Sequence, residues 1–472
     1  VVGGGIGGTS ACYFLNELFG KDGADIDLYE SKKIGGRLSM LKIDGRYYET
    51  GGSVIHSRNK YMTDFIKILG STREKLLLFI LSYNMIMIFF HFVGLHKKQN
   101  SDTRFGLYNG KEFVFTESSW GLLTLVKLAW RYGFQPLKLQ NNIEDMLKNF
   151  ERIYSLQDKG VTFTSVRDML DAMNPNFIED MVSTTKEGFL EEGFSEKLID
   201  ELISATLTAN YGQSTNVHKF VGSVSVAGAE GGLWSVNQGN SMVPHLLLEH
   251  SHAVLNLAKV TNITFRPEND DFILQYKNTI SGNNISVYDI IILATPLTKD
   301  FHSNIKFENF PREFTFPGKY HRTVCTIIKG KLNLPYFGIE NEIDEILTVK
   351  LGLEFNSVGR ISPVDYKQGE SAFNVWKVFS QEPLTTVQIH RLFINYSSVE
   401  VVDWLAYPHY HTDERDDMFV LHNNLYHINA IEWAASAMEM SVIGAKNVAL
   451  LAYKSWNNLP DTAQPIIVKE EL

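Results

Sequence analysis

The sequence predicts an α/β fold: a Rossmann-like, doubly wound sheet that the chain leaves and re-enters, with an α+β domain interleaved between its pieces. Three observations predict it. Gly3, Gly5 and Gly8 meet the G-x-G-x-x-G spacing at the opening of the chain. Glu30 closes the segment Asp25-Ile26-Asp27-Leu28-Tyr29-Glu30 about one βαβ unit later. Far downstream, Val287 to Leu293 is almost continuously apolar, the pattern of a buried parallel strand, and runs into Ala294-Thr295-Pro296.

Each glycine has a separate steric task. The first permits a tight turn, the second lets the backbone approach a pyrophosphate, and the third packs helix on strand. The helix that follows, from about Thr9 to Phe19, offers unpaired N–H groups and its positive dipole end to phosphates. Glu30 would then hold ribose hydroxyls. A second pair of glycine clusters, Gly35-Gly36-Arg37 and Gly51-Gly52-Ser53-Val54-Ile55-His56, lies close behind, so one long cofactor is expected.

At 472 residues the chain exceeds the size of one hydrophobic core. With 44 basic and 54 acidic residues the net charge is −10, which argues against a nucleic-acid partner and against adhesion of the chain as a whole to anionic membranes through charge. A small or neutral ligand fits better. Aromatic residues make up 12% of the chain, enough to line an apolar pocket. Cys12 and Cys325 are the only cysteines and imply no disulfide framework. His250 with His252, and His409 with His411, lack a third ligand of suitable spacing, so no metal is expected. No G-x-S-x-G, H-E-x-x-H or C-x-x-C occurs, which removes the hydrolase, zinc-protease and thioredoxin readings. Asp413 to Asp417 reads as a solvated loop. The chain opens at the end of its first strand, Val1-Val2, so the N-terminus reads as truncated and a leader is left open. Sequons at Asn262, Asn284 and Asn395 are compatible with secretion.

Six segments follow from the patterning: residues 1–70 and 256–300 form the two parts of the nucleotide domain, 116–255 a mainly helical cap, 301–415 a strand-rich domain, and 416–472 a closing strand-turn-helix. Leu122, Leu123, Val126 and Leu128, then Leu198, Leu202 and Leu207, fall at helix-like spacing. The remaining segment, 71–115, is an atypical insert and connection. Within it Leu76 to Leu95 has no Asp, Glu, Lys or Arg and is long enough to span a bilayer. A span would put residues 1–70 across the membrane from the rest of the sheet, so topology favours a buried helix, a hairpin resting on a membrane, or non-native translated sequence.

Several blocks together resemble the flavin-dependent prenylcysteine oxidase family, whose nucleotide domain is of the amine-oxidase type: Gly3 to Ser10, Gly35-Gly36-Arg37, Gly51 to His56, Asn210 to Ser214, Trp404 to Tyr410, and Ala434 to Ser441. The resemblance covers nearly the whole chain, except that the family has a short polar connection where this chain has Leu76 to Leu95. It implies a Rossmann-like FAD-binding domain of the amine-oxidase type, with FAD held by the opening fingerprint, by Val260 and Ala294, and by Met438 in the closing segment. It further implies oxidation of S-prenylcysteine, a small molecule, by molecular oxygen, and a lysosomal glycoprotein reached through the secretory pathway. No protein partner is implied; contact with a membrane surface stays open.

Thioether oxidation asks little of acids and bases, since the cofactor carries the hard step and the protein positions and desolvates. Arg37 would suit pyrophosphate oxygens, or else form a surface salt bridge. His56 would orient water or carboxylate at the reactive end, or else be a packed histidine. Tyr211, Gln213 and Ser214, with Trp234 and Trp404, would line the substrate channel, or else be plain core. Glu432 would accept from ribityl or backbone groups, or else balance a helix dipole. Two rivals remain: an amine- or polyene-oxidising flavoprotein of the same architecture, and an idle relative that binds FAD or lipid as a scaffold or carrier.

Overall fold

The computed structural model describes residues 1–81, 97–99, 104–118, 121–229, 233–278, 282–298, 300, 305–367, 370, 373–413 and 417–460. Val1 and Val2 sit at the centre of the first sheet although too short to count as a strand. Val2 bridges in parallel to Tyr29 on one side and Leu293 on the other, with Val2 N donating to Ile292 O and Gly3 N to Tyr29 O, both at 2.8 Å. Beyond Tyr29, strand Asp27–Glu30 pairs in parallel with the start of Val254–Arg266. Beyond Leu293, strand Ile291–Leu293 pairs in parallel with Leu425–His427, and Val420–His422 closes that edge antiparallel. Segments from both ends of the chain and its middle therefore meet in one sheet, the crossover topology of a doubly wound fold.

The expected single strand Val287 to Leu293 is two. Gly282–Tyr288 runs antiparallel to Asp271–Asn278 with alternate residues turned to solvent, and only Ile291–Leu293, all three buried, enters the parallel sheet. A nearly continuous apolar run conceals a change of sheet, whose one mark in the sequence is Asp289, at the bend. The opening helix spans Ile6–Phe19, starting directly after Gly5 rather than at Thr9. Its glycines lower helix propensity, but packing overrides that: a Cβ on Gly8 would lie 1.9 Å from the carbonyl oxygen of Gly3. The closing helix, Met438–Trp456, starts three residues later than Ala435, since Ile428–Trp433 is wound as a 3-10 turn. Ala11 and Leu15 of the opening helix share one buried cluster with Val442, Ala445 and Ala449 of the closing helix.

The second domain is built on a seven-stranded sheet in the order Phe393–Pro408, Tyr320–Leu332, Val375–Ser380, Ser357–Arg360, Glu345–Thr348, Phe105–Tyr108, Phe113–Thr116. The hairpin Phe105–Thr116 thus belongs to this sheet, paired in parallel with Glu345–Thr348, and not to a connection. Helices run from Gly121 to Ala227 and again over Met242–His250, within the expected cap of residues 116–255. Leu123 and Val126, at helix-like spacing in the sequence, lie on helix Gly121–Tyr132 and face outward.

Leu76 to Leu95 lies outside the described residues apart from its first part, whose backbone continues helix Lys60–Leu81. Among the described residues no helix is long and apolar enough to cross a membrane. Residues 414–416 of the acidic loop are also outside. Cys12 and Cys325 are buried and free, and burial lifts both thiols to about 11. Among the described residues no group of His, Cys, Asp or Glu could hold a metal.

Candidate active site

A cavity of about 1570 Å³ opens between the first turn, the loops at 35–40 and 51–59, strand residues Ala258 to Val260, Ala294 to Pro296, strand Trp404 to Tyr407, and the closing segment. Small-molecule sites are typically about 300–1,000 Å³, so there is room for a long cofactor and a second ligand. Gly3, Gly5, Glu30, Gly36, Arg37, Gly51, Gly52, Ser53, His56, Val260, Ala294, Glu432 and Met438 all border it, as do Tyr211 and Trp404. Gly8, Gln213 and Trp234 do not.

The geometry separates the glycines. Gly3 has φ +112°, and a Cβ there would stand 2.4 Å from Ala294 O, so only glycine fits. Gly8 packs the helix onto Gly3. At Gly5 a Cβ would meet nothing within 4 Å: its missing side chain is a piece of the cavity, beside the unpaired N–H groups of the helix start. Both Glu30 carboxylate oxygens accept backbone N–H, from Gly4 at 2.8 Å and Lys32 at 2.7 Å, which fixes the carboxylate on the cavity wall. Ser53 Oγ accepts from Lys377 Nζ at 3.0 Å.

Arg37 and Glu432, both on the cavity border, pair with each other. Arg37 forks onto Glu432, with Nη1 to Oε2 at 2.9 Å and Nη2 to Oε1, and also donates to Ala406 O at 2.6 Å. Glu432 accepts further from Tyr320 Oη at 2.9 Å and Asn429 Nδ2 at 2.7 Å. Burial would raise this carboxyl, but the charge and hydrogen bonds of Arg37, with Tyr320 and Asn429, hold it below the usual carboxylate range. The pair is an internal clamp between the loop after the first βαβ unit and the closing segment. Sequence reasoning could not join residues so far apart.

His56 borders the cavity on the loop, its Nδ1 accepting from Arg58 N at 3.2 Å and its carbonyl from Trp234 Nε1 at 3.3 Å. Trp234 is therefore a buried strut beneath that loop. Gln213 clamps the end of strand Phe393–Pro408, donating to Pro408 O at 2.9 Å and accepting from Tyr410 N at 3.0 Å. Ser214 is a local turn residue, accepting from Asn216 N. Tyr211 meets Tyr407 edge-on, centroids 5.1 Å apart, and both border the cavity.

Sequence reasoning missed the far wing: Met146, Leu147, Phe150, Val224, Ala227 and Leu233, an apolar wall supplied by helices Gln135–Phe150 and Lys219–Ala227 and the chain after them. Their helical spacing was visible; which face turned to a cavity was not. Also missed was Glu439, buried at the cavity floor, which accepts from Tyr61 N (2.8 Å), Met62 N (3.0 Å) and Tyr154 Oη (2.9 Å). Burial lifts its carboxyl to about 7 against these three hydrogen bonds. Its signal was an acidic residue in the first turn of a helix.

Fold and site together define a dinucleotide-binding α/β protein with an apolar chamber against the nucleotide cleft. A family profile described as Prenylcysteine lyase matches residues 115–464, and one described as NAD(P)-binding Rossmann-like domain matches residues 1–69. Prenylcysteine oxidase 1 of Homo sapiens is 39% identical over 98% of this chain and 90% of its own length. Human prenylcysteine oxidase 1-like is 35% identical, over 97% and 90%. The chain belongs to the prenylcysteine lyase family. Its fold is that of the amine oxidases: cyclohexylamine oxidase from Brevibacterium oxydans superposes with a TM-score of 0.60 at 13% identity over 97% of this chain and 98% of that one. A fatty acid isomerase from P. acnes gives 0.59 at 14%, over 95% and 96%.

Proposed function

We propose that the chain is an FAD-dependent oxidase that cleaves the thioether of S-prenyl-L-cysteine. The observation that carries this is one continuous cavity: a nucleotide cradle at one end, an apolar wall at the other, and aromatic rings between, in a chain of this family. The cradle fits the cofactor. Gly5 leaves open space beside the helix start, Gly51 lets its loop pack against the Arg37 carbonyl, where a Cβ would stand 1.8 Å from the oxygen, and Val260 and Ala294 supply apolar wall along the cleft. When bound, FAD supplies a two-electron acceptor that oxygen returns to its starting state.

The overall change balances as S-prenylcysteine, oxygen and water giving cysteine, prenyl aldehyde and hydrogen peroxide. The carbon beside sulfur loses two electrons and one hydrogen, a water oxygen bonds to it, and the C–S bond breaks with sulfur keeping the pair and taking a proton. The protein's share is placement. Met146, Leu147, Phe150 and Val224 hold the isoprenoid tail, and Tyr211, Tyr407 and Trp404 wall the reacting end from bulk water. The Arg37–Glu432 clamp keeps the closing segment, with Met438 and the start of the last helix, against the cleft.

The test is anaerobic addition of farnesylcysteine to flavin-loaded protein, then air. Bleaching and stoichiometric peroxide are expected; a folded, flavin-loaded sample that does neither defeats the enzyme reading and leaves the carrier. A lysosomal location reached through the secretory pathway is part of the proposal. Asn395 is exposed and suits a glycan, whereas Asn262 is buried, its amide donating to Glu308 Oε2 at 2.7 Å.

A further inference from the structure

We propose that helix Gly121–Tyr132 and the turn after it form a docking surface for a lipid bilayer with anionic headgroups. Leu123, Val126 and Trp130, at i, i+3 and i+7, share one face of that helix and point to solvent. Trp130 is 92% exposed and Phe134 83% exposed, and Leu137 just after them is exposed too. An apolar patch of this kind marks an interaction site, and a helix with tryptophan and leucine on one face and lysine at its flank fits the headgroup boundary.

Charge selects the bilayer over a second copy of the chain. Residues 118–143 contain Lys127, Arg131 and Lys138 and no Asp or Glu, in a protein of net charge −10. Arg131 is held by Glu201. Lys127 and Lys138 donate to carbonyl oxygens, of Thr116 and Glu192, and among the described residues neither forms an ion pair with a carboxylate. In a two-fold dimer the patch would face its own copy and set these lysines against each other, whereas anionic headgroups complement them.

The patch is also continuous with the chamber. Helix Gln135–Phe150 starts among the exposed apolar residues at Leu137 and ends in the cavity wall at Met146, Leu147 and Phe150. At 1.5 Å per residue the step from Leu137 to Leu147 is about 15 Å. A lipid-tailed molecule leaving the bilayer would meet the chamber within one helix. Only that last statement rests on the oxidase reading; the docking surface does not.

The experiment is sedimentation of the flavin-loaded full chain with phosphatidylcholine vesicles, with and without phosphatidylserine, in the absence of any substrate. Binding that grows with phosphatidylserine is expected. The double variant Trp130→Glu/Phe134→Glu, whose side chains touch little, should keep its circular dichroism and bound flavin and lose about tenfold in vesicle binding. Deleting residues 82–96 should leave binding intact. No binding by the parent chain, unchanged binding by the double variant, or loss of binding on the deletion overturns the proposal. So does a parent dimer in light scattering that the double variant disperses without any vesicle binding.

Discussion

Replacing Gly5 by valine separates the cradle's two tasks, because the structure assigns folding to its neighbours and ligand space to Gly5 itself. Gly5 has φ −76° and ψ −176°, an extended conformation open to any residue, and a Cβ there meets nothing within 4 Å. The apoprotein should therefore melt within about 0.5 kcal/mol of the parent, as an unconstrained substitution does. Bound cofactor would have to yield to the new methyl groups, and forcing that much volume into a filled site costs about 1–3 kcal/mol, or roughly 5- to 150-fold in affinity. Gly8→Ala is the control: its Cβ would stand 1.9 Å from Gly3 O, against backbone, so helix and turn must separate. That variant should lose stability first and flavin only as a consequence. The assay pairs the flavin absorbance per polypeptide with urea unfolding of the stripped protein. Full flavin content in Gly5→Val, or its collapse while Gly8→Ala stays native, would refute the assignment.

Three other outcomes are expected. Arg37→Ala strands Glu432, which is 1% exposed, and should cost about 3–5 kcal/mol in urea unfolding; Glu432→Gln leaves the partly exposed Arg37 to water and should cost less, and the reverse order would count against the clamp. The Glu439 carboxyl stands at about 7 when folded against 4.5 otherwise, so the folded state holds its proton longer and the group's contribution to stability declines as pH rises from 4.5 to 7. Glu439→Gln should therefore gain on the parent across that window, and a flat difference between the two unfolding curves contradicts it. On the proposed function, Phe150→Asp should raise KM for farnesylcysteine about tenfold or more with kcat nearly unchanged, since it removes apolar binding that ground and transition states share; a fall in kcat alone would put Phe150 elsewhere.

Much of the nucleotide half was legible from residues 3–8 and 27–30, because glycine spacing and a carboxylate one βαβ unit later encode local geometry directly. The cavity-bordering loops at Gly36 and Gly51 to His56 were readable for the same reason. Gln213 and Trp234 were not, since an aromatic or an amide looks alike whether it lines a chamber or props a loop from behind. The exposure of Leu123 and Val126 was not legible either: helical spacing names a face but not what lies against it.

Sequence by itself determined that a glycine turn would open the first helix, that the sheet would be revisited late, and that a last helix would close it, since these depend on backbone sterics and short-range periodicity. Only the tertiary structure decided that Arg37 answers to Glu432, that Val287 to Leu293 serves two sheets, and that an apolar helix near the chamber stays uncovered. The physical reason is one of range. A carboxylate 395 residues away sets the state of an arginine through a contact of a few ångströms, and no pattern along the chain records which distant surfaces folding brings to that distance.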